Sequence, residues 1–244
     1  MSALVRHKSM MDTVAAIVFD LDGTLVDTEP MHFTGIAEVL AQEGIELARE
    51  DYFRRLIHFT DRECFELMLR ERGHPSSSEI VAAMVERKAR RYLELIDGAN
   101  LLYPAAHRFV CNCAARFPLA LATGTLRHEA ELILRRMELA DCFVAVASAD
   151  DVACGKPDPA LFQLALMRLN QRLGAEIQAR QCLVVEDTTA GIEAAHAAGM
   201  KVLAIAHTSA PEMLAQADLI RPSLAETDLD DVLSALRLHT RQVQ

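Results

Sequence analysis

At 244 residues and 26.9 kDa the chain has room for one or two domains with a proper core, so disulfide staples are not required to hold it together. A hydrophobic share of 51% beside 25% charged residues excludes a disordered chain, and 10 glycines with 8 prolines exclude a collagen-like or linker-dominated one. The 25 basic residues fall short of the 35 acidic ones, giving a net charge of −10 that repels nucleic acid and anionic membrane, and any anionic substrate then needs a local positive site.

In chain order, the first dozen residues read as a loose lead without the apolar segment of a secretion signal, and Met10 or Met11 is an alternative start. Val14–Phe19 is a short apolar run of the kind that forms a buried parallel strand. Helical periodicity follows from about Glu29 to Leu102, with no convincing strand. Phe33, Ile36, Ala37 and Leu40 share one face, and Gly44 stops that helix. Thr60 with Glu63 has capping-box spacing and opens a helix that ends at Gly73. Ser76 with Glu79 repeats the spacing before a long amphipathic helix through Arg90 and Leu95. Apolar runs then return at Leu119–Ala122, Phe143–Ala147, Leu183–Val185 and Val202–Ala206, most of them leading into a helical pattern.

This alternation predicts an α/β fold, a doubly wound Rossmann-like parallel sheet, with an inserted α-helical domain. The sheet domain is expected from residues 1–28 and 103–244, and the insert from 29–102. Six cysteines, none in a CxxC pair, read as buried small hydrophobes or free thiols in a reducing cytoplasm. No stretch approaches the ~18–20 apolar residues of a membrane span.

Ligands of an open parallel sheet bind beyond the carboxyl ends of its strands. The first strand ends in Asp20-Leu21-Asp22-Gly23-Thr24, the second in Thr123-Gly124-Thr125 and the fourth in Glu186-Asp187-Thr188. The loop after the third holds Gly155-Lys156-Pro157. Converging carboxylates repel one another unless a cation joins them, and an all-oxygen donor set suits Mg²⁺. With Lys156 the metal would make the positive site that an acidic protein otherwise lacks. Asp20 facing substrate would be a nucleophile, and Asp22, where the chain leaves the strand, a proton donor and acceptor. Plainer employments stand beside these. Asp20 and Asp22 are also turn formers. Glu186 and Asp187 also suit the positive end of the next helix. Thr123 also fits as a simple strand end, and Lys156 as a solvated lysine.

Taken in order, Asp20-x-Asp22-Gly23-Thr24, Thr123, Lys156-Pro157 and Glu186-Asp187 resemble the four motifs of the haloacid dehalogenase (HAD) superfamily. The resemblance runs from about Thr13 to the end. Asp20–Thr28, with Glu29 and His32, and the run Glu186–Ile192 are similar to the β-phosphoglucomutase and phosphoglycolate phosphatase branches. The resemblance implies that Asp20 is phosphorylated by substrate and Asp22 is the acid/base. Thr123, with Gly124 beside it, would bind the phosphoryl group, and Lys156 would neutralise its charge. Asp20, the Asp22 backbone carbonyl and Asp187 would hold Mg²⁺, with Glu186 ligating directly or through water. The insert would be a cap closing over a small phosphorylated metabolite.

In the insert, His32 is a substrate candidate and equally an ordinary histidine. Arg87-Lys88-Ala89-Arg90-Arg91 reads as a solvated helix face, although Lys88 matches a cap lysine of mutase relatives. Dehalogenases lack the second aspartate of Asp20-x-Asp22. Mutase relatives carry an arginine at the position aligned with Asp61, in the loop His58-Phe59-Thr60-Asp61-Arg62. An aspartate there repels a second phosphate, and only Arg62 is near enough in sequence to substitute. The expectation is a phosphatase for sugar phosphates or phosphoglycolate, with a sugar phosphomutase as the alternative and a non-catalytic binding module as a third reading. Nothing in the sequence reports oligomeric state.

Overall fold

The computed structural model describes residues 14–56 and 59–242. The lead with Met10 and Met11, and His58 of the insert loop, lie outside the described residues. The chain divides into two compact units, one built from the segments up to Asp27 and from Leu102 onward, the other from Thr28–Leu101.

The first unit is built on six parallel strands: β1 Ala16–Phe19, β2 Leu119–Ala122, β3 Phe143–Ala147, β4 Cys182–Glu186, β5 Lys201–Ile205 and β6 Leu219–Arg221. Their order is β3-β2-β1-β4-β5-β6. Both faces of β1, β2 and β4 are buried, which is why those strands are unbroken apolar runs without alternation. β1 begins two residues later than Val14, and β4 reaches one residue further at each end than its apolar run. β6 carries no sequence signal because it is only three residues long, with one buried. The order reverses between β1 and β4, and such a switch point opens a crevice at the strands' carboxyl ends.

The second unit is helical, with α1 Glu29–Gln42, α2 Asp61–Glu71 and α3 Ser78–Asp97 as its main elements. Thr60 and Glu63 form the expected capping box. The cap of α3 is Ser77 rather than Ser76, its hydroxyl accepting from the Ile80 amide. Ile36, Leu40, Phe65, Leu69, Val81 and Met84 belong to a separate core within this unit. Buried positions on α3 are Val81, Met84, Lys88, Tyr92 and Ile96, spaced by three or four residues as one helix face requires.

The remaining helices flank the sheet: α4 Ala106–Ala114, α5 Arg127–Arg136, α6 Ala160–Leu173, α7 Thr189–Ala197 and α8 Leu229–Gln242. Cys113 is buried in α4, whereas Cys111 lies 3.7 Å from His107, so the two thiols of that helix face different surroundings. All six cysteines are free. At the edge of the sheet the Val146 carbonyl of β3 accepts from Arg168 (2.7 Å) and Arg127 (3.3 Å). Both guanidiniums are held by Asp151, which Arg168 grips through two nitrogens at 2.7 and 2.8 Å. Among the described residues no helix is long and apolar enough to cross a membrane.

Candidate active site

The carboxyl end of β1 delivers Asp20 and Asp22 through a turn that requires glycine at position 23. Gly23 has φ +81°, and a Cβ there would stand 2.2 Å from an Asp187 carboxylate oxygen. The β1 exit and the β4 exit therefore touch through a residue with no side chain. Asp20 is 6% exposed and Glu186 and Asp187 1% each, so three carboxyl groups share one desolvated end of the sheet.

Lys156 answers that charge. Its ammonium donates to Asp20 and, at 2.7 Å, to Glu186, and lies 5.0 Å from the centre of the Phe162 ring. Burial opposes the lysine's charge, but Asp20 and Glu186 prevail and hold its pKa above the ordinary range. One ammonium does not balance three carboxylates. Burial first, then Glu186 and Asp187, push Asp20 well above the usual carboxylate range against the pull of Lys156. Asp187 is pushed up to about 7 by burial and by Glu186, although Thr208, Thr24 and Lys156 act the other way.

Glu186 is fully engaged by the protein. One oxygen accepts from Lys156 and the other from the amides of Asp187 and Thr188, both at 2.7 Å, and from the Thr188 hydroxyl at 3.0 Å. Both oxygens of Glu186 thus have protein donors, which fix the carboxylate beside Asp187. A Cβ at Gly191, in the first turn of α7, would lie 1.7 Å from the Glu186 carboxylate. Gly191→Ala is therefore expected to expel Glu186 from Lys156, costing about 1–3 kcal/mol of stability and shifting the Lys156 environment, read by urea denaturation and by the ammonium's NMR signal. A variant matching the parent in both would refute this packing.

Asp22 is turned to β2, where it accepts from the Thr125 hydroxyl. The Thr125 amide in turn donates to the hydroxyl of the fully buried Thr123, at 3.0 Å. Asp20 and Asp22, two residues apart, thus have different partners. Gly124 is exposed, and a Cβ there would meet nothing within 4 Å.

Three further hydroxyls complete the network. Thr24 donates to Asp187 at 2.7 Å, Thr208 donates to the other oxygen of the same carboxylate, and Thr188 caps α7 by accepting from the Gly191 amide at 3.0 Å. Thr24 and Thr188 sit inside the sequence motifs, yet only the fold shows what they hold. Thr125, in the segment that ends the second strand, gives no sign in the sequence of its bond to Asp22, and Thr208, after β5, has no local signal at all.

Three sequence candidates lie in the helical unit. Lys88 is not solvated: it is 3% exposed, with its ammonium 2.8 Å from Asp61, 2.7 Å from His32 Nδ1 and 4.8 Å above the Tyr92 ring. Burial, then Lys88, lower the His32 pKa to about 3, so its Nδ1 accepts from the ammonium. Arg62 is half exposed and 3.7 Å from Glu66 on its own helix, so it faces a carboxylate of that helix.

The family model for haloacid dehalogenase-like hydrolases matches residues 14–199. The chain belongs to that family. It is 32% identical to the phosphorylated carbohydrates phosphatase of Thermotoga maritima over 79% of this chain and 86% of that one. It is 31% identical to the fructose-1-phosphate phosphatase YqaB of Escherichia coli, covering 78% and 96%. Among solved structures, CbbY of Rhodobacter sphaeroides in complex with phosphate superposes with a TM-score of 0.73 at 27% identity, covering 88% and 96%. This HAD-like chain is a phosphoric monoester hydrolase.

Proposed function

We propose that the chain is a Mg²⁺-dependent phosphatase that hydrolyses a small phosphorylated metabolite, of the sugar phosphate or phosphoglycolate class, through an aspartyl-phosphate at Asp20. The observation that carries this reading is the pairing of Asp20 with Lys156 while Asp22, two residues on, is held apart by Thr125.

The donor set fits the metal. Asp20 and Asp187 are buried carboxylates whose charge, together with that of Glu186, exceeds that of the one ammonium beside them, and the Asp22 carbonyl is a third candidate ligand. Among the described residues no three His, Cys, Asp or Glu side chains form a ready cage. Mg²⁺ suits such a site because it takes one or two carboxylates and keeps several waters. When bound it supplies positive charge to the phosphoryl oxygens and to the two aspartates.

The residues then divide the reaction. An Asp20 oxygen attacks phosphorus as the bond to the leaving oxygen breaks, and Asp22 gives that oxygen a proton. Thr123 and Lys156 orient and neutralise the transferring group. Asp22 next takes a proton from water, whose oxygen attacks phosphorus, releasing inorganic phosphate and restoring Asp20. The helical unit acts as the cap.

Asp61 supports hydrolysis over phosphomutation. It neutralises Lys88 at 2.8 Å, which leaves that cluster without free positive charge to grip a second phosphate. A panel of sugar phosphates and phosphoglycolate, assayed for inorganic phosphate with Mg²⁺ and with chelator, is the test. Metal-dependent release from at least one member is expected. Interconversion of sugar phosphates that depends on a bisphosphate primer would establish the mutase instead, and no release from any member would refute the assignment.

A further inference from the structure

The turn after β5 is not part of the recognised motifs, yet it reaches both acidic loops. Its backbone is fixed first: the Ala206 amide donates to the Arg221 carbonyl of β6 at 2.9 Å, and the His207 amide to Ile205 at 2.9 Å. From that base His207 and Thr208 project in different directions. Thr208 donates to Asp187. The His207 Nδ1 lies 3.2 Å from the Gly23 carbonyl, and its ring stacks on Tyr103 with centroids 3.9 Å apart and planes at 28°. A carbonyl only accepts, so Nδ1 carries the proton.

Gly23 is the residue directly after Asp22, and its conformation cannot be held by a side chain of its own. Its amide is tied to the Val26 carbonyl at 2.8 Å, and the Tyr103 amide is tied to Leu25 at 3.0 Å. The His207 ring therefore meets both chain segments that border the first unit's junctions: it bonds one and stacks on the other. A free Gly23 carbonyl would let the Gly23–Thr24 peptide rotate and so loosen the turn that carries Asp22.

We propose that His207 is a positioning residue for the phosphatase reaction: its Nδ1–H fixes the Gly23 carbonyl and thereby the Asp22 turn, while the adjoining Thr208 fixes Asp187, so one short turn sets the spacing of the two acidic loops. Its kinetic consequence rests on the function proposed above, and its structural consequence does not.

The test uses three variants of the full chain. His207→Leu keeps bulk and loses the donor. His207→Asn places an amide N–H where Nδ1 was. His207→Gln places it one bond farther out. Two readouts are taken: hydrogen–deuterium exchange of the 21–26 segment without metal, and kcat against KM on whichever phosphate the parent hydrolyses. In the leucine and glutamine variants exchange in that segment is expected to rise about tenfold or more and kcat to fall by about ten- to a hundredfold, with KM shifting less than about twofold. The asparagine variant is expected to stay within about threefold of the parent in both, because one donor in place restores the turn. Parent-like behaviour of the leucine or glutamine variant, or equal losses in asparagine and glutamine, would overturn the proposal. Should leucine prevent folding, the asparagine–glutamine contrast decides alone. A parent that hydrolyses nothing refutes the phosphatase reading, and exchange still decides the role of His207.

Discussion

Asp20→Asn is expected to abolish turnover, by about 10⁴-fold or more, while leaving the fold intact. Both halves follow from the same surroundings. An amide nitrogen cannot form the acyl phosphate, and Asp22, held by Thr125, cannot reach into the vacated role. For stability, three buried carboxyl groups face one ammonium, so removing one ionisable group relieves repulsion while Glu186 still holds Lys156 at 2.7 Å. The metal-free variant should therefore melt no lower than the parent. Rapid acid quench with mass spectrometry should find a phosphoryl adduct on the parent peptide containing Asp20 and none on the variant. Activity within tenfold of the parent would remove Asp20 from the nucleophile's place.

Magnesium is expected to raise the melting temperature, and more at about pH 8 than at about pH 5. The sign comes from Asp187, whose pKa burial and Glu186 push from 3.8 to about 7. Between those values the folded chain holds a proton that the unfolded chain has released, so metal-free stability is highest below about pH 4 as far as this group is concerned and declines as pH rises towards 7. Asp20 is shifted the same way. A cation competes with those protons, so its binding is weakened in acid and strongest where the carboxylates are otherwise most costly. At a hundredfold excess over Kd the linkage contributes about 2.7 kcal/mol, roughly 5–10 °C for a chain of this size. Thermal scans with Mg²⁺ and with chelator at both pH values measure it. An unchanged melting temperature at the higher pH would mean that the carboxylates do not hold the ion.

The parts of this site that were legible in the sequence are those whose chemistry is local. Asp20, Asp22, Lys156 and Asp187 each stand just beyond an apolar strand or in the loop that follows it, so strand ends and residue types together located them. The hydroxyls that hold them were not legible, because Thr125 meets Asp22 across 103 positions and Thr208 meets Asp187 across 21. Lys88 shows a different failure. Its neighbours Arg87, Arg90 and Arg91 give the segment a solvated character, but the spacing from Val81 and Met84 to Tyr92 and Ile96 passes through position 88. Periodicity was the better guide there, since a lysine sits on a buried stripe when Asp61 and His32 meet its ammonium. β6 escaped notice because three residues are too few to show any period.

The guanidinium pair on the Val146 carbonyl has a consequence for behaviour at high concentration. β3 ends the sheet on that side, and an exposed rim strand is a template on which another polypeptide can add by backbone hydrogen bonding. Arg127 and Arg168 already occupy one acceptor that such an intruder would need. The net charge of −10 discourages approach over a Debye length of about 8 Å, and the arginines act at contact, after salt has screened the first defence. Crowding in salty solution should thus leave this border of the molecule closed to β-augmentation.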